Sequence, residues 1–328
     1  MLLNRKRIWL AVKTILALVI IALVARQFAT ILRNDDFQKH PVTLQWEWLV
    51  PSGLLYLGAH SCWGYFWVRL LRSQGCHVSV MAGLRAYFVS QFGKYIPGKV
   101  AVIVMRTEML KPLGCARLPV AVTATYETLT SMAAGAFLAL LLLPYLGALP
   151  EEVSRRVVWV GVIAGLPLGL GLVNKIVAKA ASRSKGPDAR PLPSPPVLLL
   201  MQGLLQGAFG WCLLGLSLAC TIRALAPQPL EWTWPSYFGD LAAAALSYVA
   251  GFVVPTPGGL GGREFVLQKA LGLRFEQVFT IGAEQAIGLS VVVALVLRLV
   301  WTVAEVLLAV ALYLWKPSVP DHLANQPV

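Results

Sequence analysis

Long apolar runs separated by short polar stretches dominate this chain. A helix needs about 20 mostly apolar residues to cross a bilayer, and residues 8–28, 48–70, 118–144, 157–177 and 197–222 each supply them. The run 278–315 is too long for one crossing of a core about 30 Å thick, so it reads as two elements meeting near Arg298. Stretches 80–112 and 236–273 are apolar but interrupted near their middles. In the first, Tyr87–Ile96 and Val100–Leu110 are each too short to cross and flank Pro97 and Gly98. In the second, Leu241–Val254 and Glu264–Leu271 flank Pro255, Pro257, Gly258, Gly259 and Gly261.

These prolines and glycines shape the backbone. Proline removes an amide donor and glycine permits left-handed dihedrals, so neither segment stays helical throughout. At bilayer depth, such backbone is tolerated only where protein or a water-filled cavity shields it. Two broken segments separated by three full spans point in opposite directions, as in transporters built from inverted repeats. The expected fold is all-α and polytopic, with seven to eight transmembrane helices plus two broken re-entrant helix pairs. It forms a single integral-membrane domain over residues 1–316, with pseudo-repeats at about 48–177 and 197–315. Residues 182–196 hold five prolines and read as a cytoplasmic linker; 317–328 read as a disordered tail. Glycines recur every fourth residue at 161–169 and at 203–207, which allows close packing of spans inside one subunit or, as the lesser use, a homodimer.

Composition narrows the class. Hydrophobic residues make up 57% of the 328 residues, charged ones 13%, and mean hydropathy is +0.69. A soluble domain carries about 25% charge, so a membrane protein without a soluble catalytic module is expected. The net charge of +13 reads as cytoplasmic-loop bias and attraction to anionic lipid, and nucleic acid is not an expected partner. Arg5, Lys6 and Arg7 before Ile8–Ala25 place the N-terminus in the cytoplasm and mark an uncleaved first span. The five cysteines form no CxxC pattern or Cys/His cluster, so no metal or other cofactor is expected.

Several charges fall inside apolar runs, where an ionised group costs at least a few kcal/mol and normally faces a cavity or a counter-charge. Glu127 and Glu284 follow the first and second breaks at similar distances. Each either binds substrate, couples protons or joins an internal salt bridge to Arg106, Lys99 or Arg298. Lys99 and Arg106 are seven positions apart and share a helix face; they form a cationic strip for phosphate or snorkel to headgroups. Half-helix amides exposed beside the glycines would add to anion binding. Glu264 either caps the helix after the second break or contacts substrate. Arg298 needs a partner, and Glu305 at i+7 is a plausible one. His60 is a packing donor more readily than a proton relay.

The segments Tyr95–Arg106 (YIPGKVAVIVMR), Tyr126–Thr128 (YET), Pro255–Glu264 (PTPGGLGGRE) and Leu297–Trp301 (LRLVW) resemble the flippase-like family of lysylphosphatidylglycerol synthase transmembrane regions and their stand-alone relatives. The resemblance implies translocation of a lipid-linked headgroup across the bacterial inner membrane. It transfers to Pro97, Gly98, Lys99, Arg106, Glu127, Pro257, Gly258, Gly259, Gly261, Glu264 and Arg298. Thr128 departs from it, since relatives commonly carry arginine there. The synthase domain is expected to be absent, leaving synthesis to separately encoded enzymes and this chain as a non-enzymatic transporter of membrane lipid. Two alternatives remain at this point. One is a membrane-embedded transferase using a polyprenyl-phosphate sugar, with Asn34-Asp35-Asp36 as its acidic metal site. The other is a non-transporting scaffold for an envelope-lipid pathway.

Overall fold

The structure is a computed structural model, and it describes residues 44–95, 100–147, 152, 195–226, 230–253 and 261–315. Among these, regular structure is entirely helical. The α-helices are α1 (Leu49–Ser73), α2 (Val80–Ser90), α3 (Val100–Leu110), α4 (Arg117–Leu141), α5 (Val197–Leu225), α6 (Trp234–Val253), α7 (Gly262–Phe279) and α8 (Ala283–Leu314). The expected spans 48–70, 118–144 and 197–222 correspond to α1, α4 and α5. The spans 8–28 and 157–177, the acidic triplet at 34–36, most of the linker and the tail lie outside the described residues. So do Pro97, Gly98, Lys99, Pro255, Pro257, Gly258 and Gly259.

Helices α5 and α8 combine the length and hydropathy of membrane-crossing segments, with mean values of 1.7 and 2.4. α8 corrects the expectation of two elements in 278–315, since it runs unbroken through Arg298 for 32 residues. From Leu289 to Leu314 it contains neither proline nor glycine, so nothing interrupts the backbone ladder. Excess length over the bilayer core is taken up by tilt or by protrusion.

The interrupted regions resolve unequally. α2 and α3 are 11 residues each, and α3 has the expected limits. α2 starts earlier than the sequence suggested because Ser79 caps it, its hydroxyl accepting from the Ala82 amide at 3.2 Å. A 3-10 turn at Gln91–Tyr95 then leads toward the break. α6 and α7 are longer than the expected halves, at 20 and 18 residues. Trp234-Pro235 opens α6, where a missing amide costs nothing, and α7 continues through polar positions after Leu271.

α1 and α5 form the central pair, and α4, α6 and α8 pack around them. Hydroxyls bind the pair where no water competes: Ser52 Oγ donates to the Ser217 carbonyl at 2.9 Å, and Ser217 Oγ donates to the Ser52 carbonyl at 2.8 Å. Trp301 on α8 donates its indole N–H to Ser217 Oγ at 2.8 Å. The 203–207 glycines are used within the subunit. A Cβ on Gly203 would come within 2.1 Å of Phe66, and Gly207 faces Ala134. The run at 161–169 lies outside the described residues.

Candidate functional site

Arg106 sits on α3, one helix after the first break, and only 2% of it is exposed. Its guanidinium lies 4.5 Å from the ring centres of both Trp67 and Tyr87. Nη1 donates to Glu127 Oε2 at 3.1 Å, and Nε donates to Ser90 Oγ at 3.2 Å. Glu127 on α4 is likewise buried, and Thr128 Oγ1 reaches its Oε2 at 3.4 Å. Of the options open in sequence, the internal salt bridge is the one formed. Thr128 thus supports the carboxylate from the next position along α4.

Across the second break, Glu264 uses both oxygens. Oε2 accepts from the Gly261 amide at 2.8 Å, closing the first turn of α7, and Oε1 takes Arg298 of α8. Gly261 itself has φ +85°, a left-handed conformation that side chains disfavour. Glu264 is therefore a cap and a clamp at once. The i+7 pairing of Arg298 with Glu305 is not formed, since two helical turns set them about 10.5 Å apart along the axis. Glu305 instead accepts from Lys94 and from the Tyr56 hydroxyl, the latter at 2.6 Å.

Both regions join one aromatic chain. Trp301 stacks on Tyr56 at 5.0 Å, Tyr56 lies 4.4 Å from His60, and His60 is 6.2 Å from Tyr87, which holds Arg106. At the other end Arg263 lies 4.1 Å from the Tyr248 ring centre and 4.3 Å from that of Trp301. Buried His60 Nε2 and Glu305 Oε1 have no hydrogen-bond partner among the described residues, and both side chains touch Tyr56. An unmet buried polar atom costs about 1–3 kcal/mol, so this centre has room in its chemistry for water or a polar guest.

Glu284 falls elsewhere. It is exposed in the first turn of α8, a favourable position for a carboxylate at a helix N-terminus. This corrects its expected place deep in the helix after the break. The longer α7 moves the turn to 280–282, and the α8 residue facing α7 at depth is Arg298.

Lys94, Glu305 and Arg263 complete the cluster but were not singled out as site residues by sequence. The available signal was that Lys94 and Arg263 each adjoin a break. A second polar cluster also escaped notice: buried Asp240 takes Arg274, which also donates to the Ser236 carbonyl at 2.8 Å. It borders a cavity of about 420 Å³ lined in part by Glu231, Thr233, Ser236 and Gln277.

The fold and these buried pairs define an all-helical membrane protein with a charged interior. The chain belongs to the lysylphosphatidylglycerol synthase TM region family, whose model matches residues 8–304. That places it in a membrane-domain family associated with lipids. No curated protein matches the chain.

Proposed function

We propose that this protein moves a lipid with a charged polar headgroup between the leaflets of a bacterial inner membrane. The observation that carries the reading is the meeting of charges from both interrupted regions on one buried aromatic chain. Lys94, Arg106, Arg263 and Arg298 are set there against Glu127, Glu264 and Glu305. Such groups are costly in an apolar interior and normally serve a polar pathway.

In this reading the chain crosses the membrane seven to eight times, N-terminus inside, with the interrupted helices as inverted halves. Two correspondences support the duplication. Each half sets an arginine over two tilted rings, one of them from the helix before the break: Tyr87 for Arg106 and Tyr248 for Arg263. Each half also ties the helix after the break to the next helix by an ion pair, with the signs exchanged.

The headgroup enters between the halves while its tails stay in lipid. His60 Nε2 and Glu305 Oε1 offer hydrogen bonds to hydroxyl or amine groups, replacing hydration lost on entry. Rocking of the halves then exposes the head on the other side. The protein performs no bond chemistry, and enzymes encoded separately supply the lipid.

Purified protein in liposomes tests this. Fluorescent phosphatidylglycerol in the inner leaflet should become reducible by external dithionite faster than in protein-free vesicles. An unchanged rate contradicts the proposal, and metal-dependent consumption of a polyprenyl-phosphate sugar would replace it with the transferase reading.

A further inference from the structure

Arg106 was, with Lys99, a sequence candidate for a phosphate contact, but its guanidinium is already committed to Glu127, Ser90 and two rings. Arg298 is committed to Glu264, and Lys94 to Glu305. Arg263 differs. It is partly buried, and its guanidinium lies over both Tyr248 and Trp301, two rings 6.5 Å apart and tilted by 48°. It forms no ion pair or hydrogen bond among the described residues, and none of its nitrogens is sealed from solvent without a partner. The neighbouring carboxylate, Glu264, is turned away onto Gly261 and Arg298.

From this geometry we infer that Arg263 is the contact for the phosphate of the lipid headgroup. The inference rests on the lipid reading above and names the residue and the chemical group. A guanidinium resting against two tilted rings keeps its charge and its planar fork of donors, the geometry that suits two oxygens of a phosphate. The rings attract the guanidinium without using its N–H groups. Its backbone is fixed too, since α6 approaches so closely that a Cβ on Gly251 would come within 2.8 Å of Arg263 Cβ. The apolar outer faces of α7 and α8 favour a lipid phosphate over a soluble one. Phe265, two residues on, is 59% exposed, and Leu299 and Val303 on α8 are 50% and 48% exposed. Residues two apart on a helix point to opposite sides, so these offer acyl chains an apolar surface on the faces of α7 and α8 turned away from Arg263 and Trp301.

The test is retention of phosphatidylglycerol by detergent-solubilised protein, read by native mass spectrometry for wild type, Arg263→Lys and Arg263→Met. Met keeps an unbranched apolar stem beside the rings, and thermal unfolding checks that both variants fold. Wild type should retain one phosphatidylglycerol, Arg263→Met should weaken retention about tenfold or more, and Arg263→Lys should fall between. Diacylglycerol, which lacks the phosphate, should show no difference between the three. Equal retention of phosphatidylglycerol by folded Arg263→Met overturns the assignment. So does displacement of the lipid by millimolar glycerol 3-phosphate, which would mark a site for soluble phosphate. Leaflet exchange is a separate readout. If wild type transports and Arg263→Met matches it in both assays, only this inference fails. If wild type binds through Arg263 but does not accelerate exchange, only the transport proposal fails.

Discussion

At the residue scale, the Arg106–Glu127 pair decides most. With side chains only 3% and 4% exposed, removing one partner strands the other charge away from bulk solvent. Such truncations typically cost about 3–5 kcal/mol, whereas replacing both partners by apolar residues of similar volume is often neutral. Glu127→Ala should therefore lower the unfolding midpoint of the purified protein sharply. The double variant Arg106→Met with Glu127→Met should stay close to wild type. Equal losses for the single and double variants would mean that the pair is not the stabilising unit. Sequence alone identified both residues, because a carboxylate and a guanidinium within apolar runs are conspicuous. It could not join them, because α3 and α4 approach through tertiary packing that no local pattern records. Arg263 was harder to single out, since its distinguishing property is the lack of an ion-pair or hydrogen-bond partner among the described residues.

At the scale of elements, the starts and close contacts of helices carry the testable content. Gly261 opens α7 at φ +85°, and a Cβ there would meet nothing within 4 Å, so the cost of Gly261→Ala is backbone strain alone. It should destabilise by about 1–3 kcal/mol, measurable by thermal unfolding in detergent; an unchanged midpoint would show that the turn relaxes freely. Gly135 on α4 presents the opposite case. A Cβ there would come within 2.4 Å of the Trp211 ring, whose indole N–H donates to the Ser131 carbonyl at 2.8 Å. Gly135→Ala should cost about 1–3 kcal/mol by overpacking, and Trp211→Phe in the same chain should recover part of it. The positions of α1, α3, α4 and α5 were legible from apolar run length and polar boundaries. α8 was misjudged because run length was weighed against bilayer thickness without asking what would break the helix. α6 and α7 were judged too short because their outer turns are polar.

On the scale of the whole molecule, α8 links helices from both ends of the described chain. It packs on α1 and α2 of the first half as well as on α7, and it carries Arg298, Trp301 and Glu305 along a single helix. The sequence disclosed the two breaks and the charged residues following them, so the general location of the site was available. The aromatic chain from Trp301 through Tyr56 and His60 to Tyr87 was not, since its members come from three separate helices. The central claim is that this buried polar chain is a working path for a headgroup and more than a packing device. Leaflet exchange of fluorescent phosphatidylglycerol by the Arg106→Met, Glu127→Met double variant tests it most directly. The account predicts a folded protein of near wild-type stability whose exchange rate falls to that of protein-free vesicles. Exchange as fast as wild type in that folded variant would contradict it.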